Sequence, residues 1–170
     1  MSRYERIFQA LVKAKVQFLV VGGVAVNLHG FYRATGAADI ILLLEDFNLK
    51  RFIRVVKGLK LKPKIPVNLG DFAVDKIRRE WIKKKGMKAF ALFDPNSWEK
   101  ELDVVIEHPI NFQSAYKRKT MIKDGPLEVP VISISDLIAM KKVADRGRDK
   151  IDIMALKQIQ EIIRNAPKNL

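Results

Sequence analysis

Chemistry in this chain has to run on carboxylates, lysines and arginines. The sequence has no cysteine, which excludes disulfides, thiolate metal sites and thiol nucleophiles. Its two histidines, His29 and His108, are too few for a histidine-rich zinc site. The most informative stretch runs from Phe18 to Glu45, FLVVGGVAVNLHGFYRATGAADIILLLE. An apolar run enters Gly22-Gly23, and Arg33, Thr35 and Asp39 then lead into a second apolar run. Glycines let backbone approach an anion closely, and amides at the start of a following helix can donate to it. The same pair is also an ordinary tight turn. Asp39 abuts an apolar strand, where an unpaired carboxylate is costly, so its type at that place points to function. Asp103, in Glu-Leu-Asp-Val-Val-Ile, has a similar setting, with pairing to a lysine as the structural alternative. Arg33, just ahead of the carboxylate strand, suits a phosphate clamp.

Taken together, Gly22, Gly23, the segment Arg33-Ala34-Thr35-Gly36-Ala37-Ala38-Asp39 and the later Asp103 resemble the nucleotidyltransferase superfamily of the DNA polymerase β type. Within it they are most similar to the AbiEii-type abortive-infection toxins, where a Gly-Gly or Gly-Ser turn precedes Arg-x-Thr-x-Asp-x-Asp. Leu137 to Lys141, Ala144, Arg146, Arg148-Asp149 and Asp152-Ile153 are similar to that branch's lysine-containing helix and its Arg-Asp helix start. The resemblance covers most of residues 16–156, with no matched motif in 60–100. It implies an α+β fold: a small mixed β-sheet, flanking helices and a C-terminal helical pair. Residues 1–170 would form a single nucleotidyltransferase-like domain, with 135–165 as its helical portion. It further implies an NTP and Mg²⁺, with Asp39 and Asp103 as catalytic metal ligands. Gly22, Gly23, Arg33, Thr35, Lys141 and Asp149 would bind the nucleotide. The acceptor would be a hydroxyl on RNA (tRNA by analogy with related toxins), on a protein or on a small molecule, and an antitoxin protein is an implied partner. Structural alternatives stand beside these roles. Lys141 is one of two adjacent helical lysines, and acidic residues such as Asp149 and Asp152 are favoured in a first helical turn by the dipole alone.

One position departs from the pattern. Residues i and i+2 of a strand project to the same face, so a carboxylate two before Asp39 would complete a hard-oxygen pocket for two ions about 3.5–4 Å apart. The residue there is Ala37, whose methyl group cannot ligate a metal. Asp39 and Asp103 remain, enough for one Mg²⁺ when substrate phosphates and water complete its shell. Two readings stay open: a nucleotidyltransferase with an impaired site, or an inactive nucleic-acid- or protein-binding module on the same fold. Whether Ala37 is a natural loss or an introduced Asp→Ala change is equally open.

Elements that could position these residues follow from periodicity. Ile7, Leu11 and Ala14 have helical spacing, Phe18 to Gly22 reads as a buried strand, Val24 to His29 as a brief helix, and Ala38 to Leu44 as a second strand. A helix is expected over 47–59, and another over 71–84 with Asp71 as its cap. Strands are expected over 88–93 and 102–106, then a basic segment from Tyr116 to Lys123 and a short strand over 129–134. Ser135-Asp136 should open a helix, Arg146-Gly147-Arg148 a hinge, and residues 149–164 a last helix. The chain has 170 residues, 48% of them hydrophobic and 30% charged, an ordinary globular balance. It shows no transmembrane run and no signal sequence at its start, so a cytoplasmic protein is expected. Its net charge of +13 points to an anionic partner, with a lysine-rich, heat-adapted surface as the alternative.

Overall fold

The computed structural model describes residues 3–168; Met1 and Ser2 of the expected leaderless start, and the last two residues of the expected 1–170 unit, lie outside them. The architecture is α+β, around one seven-stranded mixed sheet. Helix α1 (Arg3–Lys13) precedes β1 (Phe18–Val21), α2 (Gly22–Leu28), β2 (Ala38–Leu42) and α3 (Asp46–Gly58). There follow β3 (Lys62–Pro63), a 3₁₀ turn (Leu69–Ala73), α4 (Asp75–Lys85), β4 (Ala89–Phe93) and β5 (Lys100–Val105). The chain ends with α5 (Phe112–Lys117), β6 (Thr120–Asp124), β7 (Leu127–Val131), α6 (Ile134–Ala144) and α7 (Gly147–Asn165). Strand order is β3-β4-β5-β2-β1-β7-β6. The pairs β1–β7 and β2–β5 are parallel and the others antiparallel.

The two faces of the sheet have opposite characters, and two adjacent cross-strand rows show why. Val20, Ile40, Val104 and Phe90 are aligned across β1, β2, β5 and β4, and all four are fully buried. Phe90 stacks on Phe72 at 4.7 Å and on Trp81 at 5.5 Å, and Phe72 meets Phe52 at 5.7 Å. Phe18 stacks on Phe8 at 6.1 Å. This back face is therefore roofed by α1, α3, the 3₁₀ turn and α4. Each large ring removed from water contributes about 1.5–3 kcal/mol. One residue further along, the row reads Val21, Asp39, Asp103 and Ala91. Alternation along a strand sends that row to the front face. Asn48, fully buried in α3, ties the back layer to the sheet. It accepts from the Gln17 amide at 2.7 Å and donates to the carbonyls of Gln17 and Leu43 at 2.9 Å.

Several expected boundaries move. Asp71 does not cap a helix over 71–84: it lies inside the 3₁₀ turn, where Phe72 drops into the core. Asp75 opens α4 instead and pairs with Arg79 at 2.9 Å. The basic segment 116–123, given no secondary structure from the sequence, spans the end of α5 and most of β6, which pairs with β7 through a turn at Gly125 (φ +62°). Helix α6 starts at Ile134 because Ser133, not Ser135, caps it, its hydroxyl accepting from the Asp136 amide at 3.2 Å. Among the described residues no helix is long and apolar enough to cross a membrane.

Candidate active site

The front-face row opens into a cleft of about 760 Å³, lined by residues from both ends of the chain. Asp39 and Asp103 are aligned neighbours on the parallel strands β2 and β5, so their carboxylates share one face and one cleft. Gly22, at the end of β1, faces them. Its φ of +65° is a left-handed conformation that suits glycine, and a Cβ there would collide with the Asp39 carboxylate. Gly23 is similarly confined, since a Cβ would meet the Thr35 side chain. The glycine pair is thus required by the close approach of Asp39 and Thr35. Ala37 lies one residue before β2 and lines the same cleft as Asp39.

The two carboxylates differ in their partners. Asp103 is paired with the Lys100 ammonium at 2.7 Å. Asp39 forms no hydrogen bond or ion pair among the described residues. Burial, and then the neighbouring Asp103 charge, push its pKa up to about 6, against smaller opposing effects of Lys100, Arg146 and Lys141. A desolvated carboxylate next to a second one is the electrostatic condition that a bound cation relieves. Asp39 and Asp103 could together ligate one hard cation. Among the described residues no third His, Cys, Asp or Glu joins them to make a protein-only metal cluster.

Behind this pair is an ion-pair network that sequence spacing did not indicate. Arg33 grips Asp152 with two parallel bonds, Nε to Oδ1 at 2.8 Å and Nη2 to Oδ2 at 2.7 Å. Lys141, only 4% exposed, donates to Asp152 at 2.8 Å and to Asp149 at 3.3 Å. Asp149 accepts from the Arg146 backbone and side chain, both at 2.9 Å. Asp149 and Asp152 are fully buried. Burial alone would raise their pKa values, but bonds from Arg146 to Asp149, and from Arg33 and Lys141 to Asp152, outweigh it and hold both below the usual carboxylate range. Three cations thus surround two carboxylates, leaving a positive excess where α6 and α7 meet the loop before β2. Asp149 in this arrangement touches Lys141 and Arg146, whereas Asp152 holds Arg33 to α7. His29 lies away from this chemistry: it ends α2, and its Nε2 bonds the Ile132 carbonyl at 2.7 Å.

No family model matches the sequence, and no curated protein sequence matches it. Solved structures do. The lincosamide antibiotic adenylyltransferase LnuA, lincomycin-bound, aligns with TM-score 0.61 at 16% identity, covering 92% of this chain and 96% of its own. ANT(2")-Ia in complex with adenylyl-2"-tobramycin aligns at 0.57 and 12% identity, covering 95% and 92%. TM1012 of Thermotoga maritima, described as a putative nucleotidyltransferase, aligns at 0.53 and 14% identity, covering 93% and 91%. Sheet order, the glycine turn facing two aligned carboxylates and these alignments lead to one conclusion: the chain has the nucleotidyltransferase fold.

Proposed function

We propose that the protein binds an NTP with Mg²⁺ in the front-face cleft and transfers a nucleotidyl group to a hydroxyl acceptor. The observation carrying this reading is the side-by-side placement of Asp39 and Asp103 against the Gly22-Gly23 turn. In the transfer, the acceptor hydroxyl gives up its proton to water, its oxygen forms a bond to the α-phosphorus, the α–β phosphoanhydride bond breaks, and pyrophosphate leaves. Asp39 and Asp103 hold the metal, which supplies charge neutralisation to the phosphates. Gly22 and Gly23 let the backbone approach the phosphates closely, with amides at the start of α2 as donors. Arg33 and Lys141, fixed by Asp152 and Asp149, face the triphosphate from the α6–α7 side, and Thr35 lines the same wall. Residues 1–170 act as one unit, with 135–165 forming the wall opposite the sheet. The AbiEii-type resemblance supports a toxin acting in the cytoplasm on RNA such as tRNA, with an antitoxin partner. Ala37 supports the alternative, a binding module that has lost turnover.

Calorimetry with each NTP in the presence of Mg²⁺ tests the first reading. Binding is expected, and Asp39→Asn should weaken it strongly; no binding of any of the four nucleotides refutes it. Ala37→Asp separates the two readings, because it should create or greatly raise transfer of labelled nucleotide if the remaining site is intact.

A further inference from the structure

A second feature lies on the sheet's front face, outside the cleft. Trp98, in the hairpin between β4 and β5, is 78% exposed and has φ +58°. A bulky side chain gains nothing locally from the left-handed region, and such outliers persist where the surroundings impose them. Here the surroundings do impose it. The Trp98 amide donates to the Asp94 carbonyl at 2.8 Å, the Asn96 amide to the Asp94 carboxylate at 2.9 Å, and the Asp94 amide to the Glu99 carbonyl at 3.2 Å. The loop places the indole over Phe93, with ring centroids 5.3 Å apart and planes 19° apart. One indole face is covered by Phe93.

Cations flank this stack. Phe93 is aligned with Lys62 on β3 and, across a register shift after Leu92, with Lys100 on β5, whose ammonium reaches the front face at Asp103. Ala91 and Asp103 are on that face too. Lys64, two residues beyond Lys62, is likewise exposed. The Lys100 ammonium reaches back to Asp103, connecting the stack to the cleft. Lysines on an edge strand also discourage strand pairing, but that role does not explain an exposed, strained tryptophan in the neighbouring hairpin. An exposed aromatic stack beside a lysine-bearing edge strand, on a chain of net charge +13, has the chemistry that recognises unpaired nucleobases on a phosphate backbone. A polycationic ligand would instead meet like charge.

We propose that the Phe93–Trp98 stack, with Lys62 and Lys64, is a binding site for single-stranded nucleic acid at the mouth of the cleft. Its role in presenting an acceptor end rests on the nucleotidyl-transfer reading; its existence as a binding site does not. Fluorescently labelled single-stranded RNA and DNA oligonucleotides, titrated into the full chain and followed by anisotropy, test it. Trp98→Ala should weaken binding roughly tenfold or more, the range for loss of one base stack. Trp98→Phe should retain most of the affinity. The double variant Lys62→Gln/Lys64→Gln should lower the slope of log affinity against log salt by roughly 0.7 per lysine removed. Base stacking should also quench Trp98 emission, while Trp81, 4% exposed in the core, acts as an unresponsive reference. Unchanged affinity in Trp98→Ala overturns the proposal, as does a duplex bound as tightly as a single strand. Failure of the wild-type protein to bind any NTP defeats only the transfer reading and leaves a Trp98-dependent oligonucleotide site standing.

Discussion

Asp39→Asn should make this protein more stable while disabling its proposed site. The carboxylate is raised from an ordinary 3.8 to about 6 by burial and by Asp103. The folded state therefore binds the Asp39 proton more tightly than the unfolded chain does. Below about pH 4 both states are protonated and the group is neutral for stability. As pH rises through about 6, the folded state must ionise a carboxylate it disfavours, and stability falls. A shift of about two units corresponds to about 3 kcal/mol at neutral pH. An isosteric amide removes that cost. Urea denaturation of both proteins at about pH 4 and about pH 7 should show a small difference at the lower value, and the variant more stable by about 2–3 kcal/mol at the higher one. Mg²⁺ with nucleotide should narrow the gap by stabilising only the wild-type protein. A variant less stable than wild type at neutral pH, or a difference independent of pH, would refute the electrostatic account of the site.

Four further outcomes follow from the surrounding geometry. Asp152→Ala leaves Arg33 and the buried Lys141 short of a partner and should cost about 3–5 kcal/mol in chemical denaturation. Gly22→Ala meets both the left-handed φ and the Asp39 carboxylate, so it should lower stability by at least about 1–2 kcal/mol and impair NTP binding. Gly36→Ala, which meets nothing within 4 Å, should stay within about 0.5 kcal/mol in the same chemical denaturation. In acid the depressed Asp149 and Asp152 act opposite to Asp39: their contribution is present above about pH 4 and is lost as pH falls through their lower folded values. Asp149→Asn/Asp152→Asn should therefore flatten the acid limb of a stability–pH profile, and an unchanged limb would argue against the network.

The strands beneath the cleft were legible as apolar runs, unbroken in Phe18–Val21 and interrupted by a single charge in Ala38–Leu42. Asp39 and Asp103 stood out for the same reason, each a charge inside such a run. The outer elements were harder to read. Strand β6 is an exposed edge whose residues alternate without a clear apolar face; Asp124-Gly125, a hairpin pair, was the signal that could have found it. Most hidden was the Arg33–Asp152 contact, which joins residues 119 positions apart. Local spacing identifies residue types that suit a helix start or a loop, but only the folded chain shows which of them meet.

The alignment of β5 has a consequence for how faithfully the chain must fold. Its neighbouring residues Asp103 and Val104 face opposite sides, one toward solvent-filled space and one into an aromatic layer. Slipping β5 by a single residue against β2 and β4 would drive a carboxylate among Phe72, Phe90 and Trp81 and push valine into the opening. That misaligned form would carry an uncompensated buried charge, a cost no hydrophobic exchange offsets. The residues placed to hold a metal thus also act as alignment marks, penalising a chain that closes its sheet one step out of place.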